Sequence, residues 1–126
     1  MDIRRIATRA LIVGIAVISV GCLVDRAVGL QPPDGNGPSV IFGTEGDDVL
    51  RGGRGPDVVF GLGGDDTIWT GKGGPGDEVY GGSGDDRLNN WGSGAAPGLL
   101  KGGAGFDRCT GDPHDTFVGC EVVAFK

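Results

Sequence analysis

Between Gly43 and Thr110 one aliphatic residue recurs at a fixed phase, and the apolar residues form no helical stripe. Leu50, Val59 and Ile68 are nine residues apart, and after an insertion of two at Thr70 and Gly71 the spacing resumes with Val79 and Leu88. Each stands two residues after an aspartate: Asp48, Asp57, Asp66, Asp77 and Asp86. Written in nines, the chain reads GTEGDDVLR from Gly43, GGRGPDVVF from Gly52, GLGGDDTIW from Gly61, KGGPGDEVY from Lys72 and GGSGDDRLN from Gly81. A second insertion, Asn90 to Gly92, leads to SGAAPGLLK, which keeps Leu100 but has Gly98 in place of the aspartate. GGAGFDRCT from Gly102 then restores Asp107, with Cys109 in the apolar slot. This pattern predicts short strands alternating with tight turns. Glycines allow a turn to close with its carbonyls pointing inward, and a three-residue strand sends one side chain to the interior. Phe60, Trp69 and Tyr80 each follow the inward residue and so face outward. Phe60 and Tyr80 belong to alternate nonamers and are expected side by side in one sheet.

The flanks differ from the repeats. Arg4, Arg5 and Arg9 precede an uncharged run from Ala10 to Val24, the order of a secretory signal. The run is shorter than the roughly 20 residues a spanning helix needs. Two processing points remain open: after Gly29, giving a signal peptide over 1–29, or before Cys22, giving a lipoprotein leader that ends at 21. The second would explain an odd third cysteine by lipidation of Cys22, although Ser19 departs from the usual aliphatic residue of a lipobox. Residues 30–40, rich in proline and glycine, are expected to form a flexible linker, the repeats to span 41–110, and 111–126 to cap the open end. In the cap, Asp112-Pro113 marks a turn and Glu121 to Phe125 a last strand. Cys109 and Cys120 lie close in sequence and are expected to pair in an oxidising compartment.

Composition narrows the chemistry. Glycine fills 28 of 126 positions without the every-third-residue rule of collagen, and the net charge is -6. Between Gly43 and Asn89 ten acids face four bases. Nucleic acid is a poor partner for such a surface and a cation a good one. No D-x-[DN]-x-[DN]-G loop ending in glutamate is present, which excludes an EF-hand, and the glycine runs at Gly73 and Gly81 lack the Lys-Ser or Lys-Thr of a phosphate cradle. His114 is the only histidine, and no catalytic triad or zinc spacing is evident, so no enzymatic activity is expected.

The repeat G-G-x-G-x-D-x-U-x, with U apolar, resembles the calcium-binding nonapeptide repeats of the RTX, or hemolysin-type, family over about Gly43 to Thr110. The resemblance implies an all-β fold, a right-handed parallel β-roll solenoid in which two nonamers make one coil and the glycine-rich halves bind calcium. The turns from Gly43, Gly61 and Gly81 are expected on one edge, those from Gly52 and Lys72 on the other. The implied ligands are Asp48, Asp57, Asp66, Asp77, Asp86 and Asp107, with Asp47, Asp65 and Asp85 beside them. Oxygens are also expected from the turns of Gly43, Gly46, Gly53, Gly55, Gly61, Gly64, Gly82 and Gly84. In the copy from Lys72 the ligand is either Asp77 or Glu78, with Asp77 preferred because Val79-Tyr80-Gly81 mirrors Val59-Phe60-Gly61. Asp107 lies beyond the degenerate copy, so Asp66→Ala is expected to weaken calcium binding more than Asp107→Ala. At least three Ca²⁺ ions are expected, since coils stack at about 4.8 Å and calcium takes oxygens at about 2.3–2.6 Å.

The functional expectation is therefore calcium binding by an exported β-roll whose folding is coupled to the ion. The alternative is an extracellular adhesion module, binding a cell-surface glycan or protein, in which calcium is only structural. The protein is expected outside the cell, and at a membrane only if anchored through Cys22. Enzymes that resemble this family carry the roll beside a separate catalytic domain, and 126 residues leave no room for one.

Overall fold

The computed structural model describes residues 28–30, 37–71, 76–91 and 96–126. Residues 1–27 of the expected leader, with Cys22, and most of the expected linker lie outside these residues, whereas Val28 and Gly29 at the end of that leader are described.

The chain shuttles between two sheets. One contains β1 (Val28–Leu30), β2 (Ser39–Phe42), β4 (Asp57–Gly63), β6 (Glu78–Ser83), β8 (Leu99–Ala104) and β10 (Thr116–Val118), hydrogen-bonded in that order. The other runs β3 (Val49–Arg51), β5 (Thr67–Trp69), β7 (Arg87–Asn89), β9 (Arg108–Gly111) and β11 (Val122–Phe125). Every pairing is parallel except that of β1 with β2. The result is an all-β parallel solenoid of about four turns. The roll begins at Ser39, and β1 covers its first strand in antiparallel register, with Gly29 opposite Ile41.

Register explains why a single aliphatic residue per strand suffices. In the first sheet Ile41, Val59, Val79, Leu100 and Phe117 lie in one row, and in the second Leu50, Ile68, Leu88, Cys109 and Val123 do so. The two rows meet in one core, in which Val59, Ile68, Val79, Leu88 and Leu100 are fully buried. The spacing along the first row grows from 18 residues (Ile41 to Val59) to 20 and 21 (to Val79 and Leu100). Both insertions fall in connections, after β5 and after β7, so the coils lengthen without a slip that would turn the core face outward.

The segment expected as a cap is built as one more coil. β10 extends the first sheet and β11 the second, each in parallel register with the strand before it. The disulfide between Cys109 and Cys120, whose Cα atoms are 6.0 Å apart, ties this coil to the core: Cys109 stacks on Leu88 in the inward row. Outside, Phe42, Phe60 and Tyr80 stack face to face at 5.1 and 4.8 Å, and Arg51 lies over Trp69 at 4.8 Å. The rings of the ladder turn their faces toward one another, so the ladder shields its sheet and offers mainly ring edges to solvent.

One position is strained. Leu62 has φ 84°, where its register partners are Gly82 and Gly103 at 115° and 120°. A leucine pays about 1 kcal/mol in this left-handed region. We expect Leu62→Gly to raise stability by about that amount in equilibrium denaturation; a loss of similar size would show that the exposed leucine contributes more than its backbone costs. Leu88→Ala should destabilise by about 2–4 kcal/mol, because neighbouring coils cannot close over the lost volume. Val49→Ala, at a residue 68% exposed, should change stability by no more than about 0.5 kcal/mol, and similar losses from the two would contradict the packing described.

Candidate metal centre

The turns fall on two edges of the roll. Connections around 43–48, 61–66, 81–86, 102–107 and 119–121 line the first edge, and the described parts of those around 52–57, 70–71 with 76–77, 90–91 with 96–98, and 111–115 line the second. The copies from Gly43, Gly61 and Gly81 thus share one edge, opposite those from Gly52 and Lys72. Main-chain bonds link each turn to the next coil, as from Thr67 N to Asp48 O at 2.9 Å, Arg87 N to Asp66 O at 2.8 Å and Arg108 N to Asp86 O at 2.8 Å. Left-handed glycines close the turns, with φ of 87° at Gly64, 124° at Gly84 and 135° at Gly105.

Along the first edge the aspartates form a hydrogen-bonded column. The Asp48 N–H donates to Asp66 Oδ1 at 2.8 Å, Asp66 N–H to Asp86 Oδ1 at 2.8 Å, Asp86 N–H to Asp107 Oδ1 at 2.9 Å and Asp107 N–H to Glu121 Oε2 at 2.7 Å. Asp107 thus continues this column although it lies beyond the degenerate copy in sequence. The degenerate copy occupies the other edge, so its missing aspartate does not interrupt this column. A parallel outer column joins Asp47, Asp65 and Asp85: Asp65 N–H donates to Asp47 Oδ1, Asp85 N–H to Asp65 Oδ1 and Phe106 N–H to Asp85 Oδ1, each at 2.8 Å.

The second carboxylate oxygen of the inner column is the informative atom. Oδ2 of Asp66, Asp86 and Asp107 is buried and has no hydrogen-bond donor. It lies against the first glycine of its own turn and a carbonyl of the next. A methyl group on Gly61 would collide with Asp66 Oδ2 and the Gly81 carbonyl, one on Gly81 with Asp86 Oδ2 and the Gly102 carbonyl, and one on Gly102 with Asp107 Oδ2 and the Gly119 carbonyl. Glycine here leaves room among oxygens. At Asp48 the same arrangement is already satisfied, because the main-chain N–H of Thr44 and its hydroxyl, at 2.9 Å for the latter, both donate to Oδ2. Gly46 belongs to that same turn, its N–H donating to Thr44 Oγ1 at 3.1 Å.

Burial pushes the carboxyls of Asp66 and Asp86 up from 3.8 to about 6, and charged neighbours in the column add to the rise against the lowering effect of the accepted N–H. Asp77 and Asp107 are raised for the same first reason. A buried charge without a partner is costly, and these carboxylates stand in line with others of the same sign.

On the second edge Ser39 N–H donates to Asp57 Oδ1 at 3.0 Å and Asp57 N–H to Asp77 Oδ1 at 2.9 Å, while Gly53 N–H satisfies Asp57 Oδ2 at 2.9 Å. Gly55, with φ 116°, closes that turn. Asp77 is buried and Glu78 exposed in β6, so that Asp77 is the member of the column. Gly98 interrupts the series, and Asp115 takes over, accepting from Gly98 N–H at 2.8 Å. Asp115, Glu121, Thr70 and Asn90 are participants that periodicity missed, since none lies nine residues from a recognised aspartate.

Among the described residues no three His, Cys, Asp or Glu side chains converge on one point. Each turn of the first edge instead offers carboxylate oxygen together with main-chain carbonyls. An oxygen-only set that mixes charged and neutral donors suits a hard cation such as calcium and ill suits zinc or copper. Architecture and site together define a parallel β-solenoid with acidic stacked turns. A family model describing the RTX calcium-binding nonapeptide repeat matches residues 42–74 and 76–92 in four copies, and this region belongs to that family. No curated protein and no solved structure matches the chain.

The raised carboxyls fix the sign of a pH effect. With the folded pKa of Asp66 and Asp86 near 6 and an ordinary value of 3.8, the stabilisation conferred by their protonation is complete below 3.8 and lost as pH rises through about 6. The metal-free chain should therefore show more β signal at pH 5 than at pH 7.5. Far-ultraviolet circular dichroism in chelator at the two pH values measures this, and the opposite order would show that the column carries no unrelieved charge.

Proposed function

We propose that this protein is an exported calcium-binding β-roll in which ion binding and folding are largely one event. The observation that carries the reading is the set of buried, donor-free Oδ2 atoms of Asp66, Asp86 and Asp107, each beside a main-chain carbonyl. Carboxylates would hold the ion together with carbonyls of the glycine turns, and the ion would supply the positive charge that lets the column ionise at neutral pH. Coupling to folding follows from the small core. Among the described residues eight apolar side chains are buried, a modest return against ordering several coils whose glycines lose much backbone entropy. Metal binding that exists only in the folded state adds directly to folding free energy.

The proposal assigns a binding role and no catalytic step. Secretion is supported by the disulfide, which suits an oxidising compartment, and by the charged and apolar order of the first 29 residues. Cleavage before Cys22 with acylation there would make the protein membrane-anchored; the mass of the mature N-terminus distinguishes the two.

In chelator the secreted chain should show a far-ultraviolet circular dichroism spectrum with little regular structure, and millimolar calcium should bring in the β signal. Magnesium should substitute poorly, because its smaller octahedral shell resists a set of ligands drawn mostly from protein. Identical spectra and identical hydrogen exchange with and without calcium would overturn the proposal.

A further inference from the structure

The two edges of the roll are chemically unlike, and the difference lies in the first residue of each turn. On the first edge these residues are Gly43, Gly61, Gly81, Gly102 and Gly119. On the second they are Gly52, Thr70, Asn90 and Gly111, so that side chains stand where the first edge has only hydrogen. Thr70 and Asn90 are buried at 1% and 3% exposure. The Thr70 hydroxyl donates to Asn90 Oδ1 at 2.9 Å, the Asn90 amide donates to Asp115 Oδ2 at 3.0 Å, and Asp112 N–H donates to the same oxygen at 2.8 Å. A run of side-chain hydrogen bonds ending on the Asp115 carboxylate thus crosses three successive coils on the edge where the aspartate column is broken at Gly98.

Building on the calcium-binding reading above, we propose that calcium loads one edge only. Three ions occupy the first edge, at Asp66 with Gly81, Asp86 with Gly102 and Asp107 with Gly119, while Thr70, Asn90 and Asp115 replace the metal on the second. Three facts support the division. Donor-free buried Oδ2 atoms recur on the first edge at all three aspartates that follow Asp48, each beside a glycine where a methyl group would strike both that oxygen and a carbonyl. The corresponding oxygens of the first coil are already satisfied by protein donors, at Asp48 by Thr44 and at Asp57 by Gly53. Asp77 also has a donor-free Oδ2, but its turn opens with Thr70, a buried side chain whose hydroxyl donates to Asn90 where the first edge has glycine. An ion at Asp77 would have to displace that hydrogen-bonded side chain.

The two edges then have separate duties. Cations neutralise the first, and side-chain hydrogen bonds hold the second without an ion of its own.

Calcium stoichiometry of the full secreted chain, measured by equilibrium dialysis against calcium chloride with metal analysis, tests the assignment. The native protein should bind three ions. Asp86→Asn, which keeps an oxygen to accept the Asp66 N–H, should reduce the count to two or fewer, and Asp77→Asn should leave it at three. Thr70→Val should leave the count at three while lowering the melting temperature in saturating calcium, a readout that does not depend on how well the Asp86 variant folds. Equal losses from Asp77→Asn and Asp86→Asn, or a count above three, would overturn the one-edge assignment and leave calcium binding standing. Failure of the native protein to bind calcium at all would overturn both.

Discussion

The structure turns on one hydrogen bond repeated along a line, from the N–H of an aspartate in one coil to the carboxylate of the aspartate stacked on it. It satisfies a main-chain donor at a corner where neither strand pairing nor the turn provides an acceptor. It also fixes the distance between coils, because the carboxylate must reach back across one sheet spacing. The same geometry places carboxylates of like charge in file and buries them. The contact that sets the stacking thus creates the electrostatic problem that the rest of the fold must meet.

Two other features are consequences. A turn that presents its carboxylate inward must pack its own first residue against that oxygen and the next carbonyl, so side chains are excluded at Gly61, Gly81 and Gly102. Strands joined by such turns are short, and three residues send only one side chain to the core. Hydrophobic burial is therefore spread thinly as a single row per sheet. The disulfide at Cys109 reinforces that row where the last coil has no neighbour beyond it, the position at which a solenoid is most open to fraying.

Much of this was legible in the sequence because the period of nine is written twice, in the aspartates and in the aliphatic residues, and both phases agree. The inward rows, the partition of turns between edges and the pairing of Phe60 with Tyr80 follow from that agreement. What periodicity could not show was the effect of the insertions. Counting along the chain puts Asp107 after a broken copy, whereas in space the broken copy lies across the roll and Asp86 is its neighbour. Asp115 and Glu121 escaped notice because the last coil reaches its two aspartate positions with shortened connections and a glutamate in one of them. β1 left no signal, since three residues of an antiparallel strand carry no alternation to read.

The insertions also show how one repeat can serve two ends. In a strict nonapeptide array both edges would be equivalent, and every coil would depend on the same ion. Residues added only on the second edge, after β5 and after β7, relax the demand for a tight glycine turn there and admit Thr70 and Asn90. Once a hydroxyl and an amide face one another across coils, protein side chains join those coils directly, Thr70 to Asn90 and Asn90 to Asp115. Each of these bonds spares a buried polar group the cost of being left unsatisfied. Coils pinned along one edge need only the other to be neutralised, so the loss in chain entropy assigned to cation binding is smaller than for an array open on both sides. A short roll of about four turns, with few nearest-neighbour interfaces over which to spread its ordering cost, is where such a division of labour matters most.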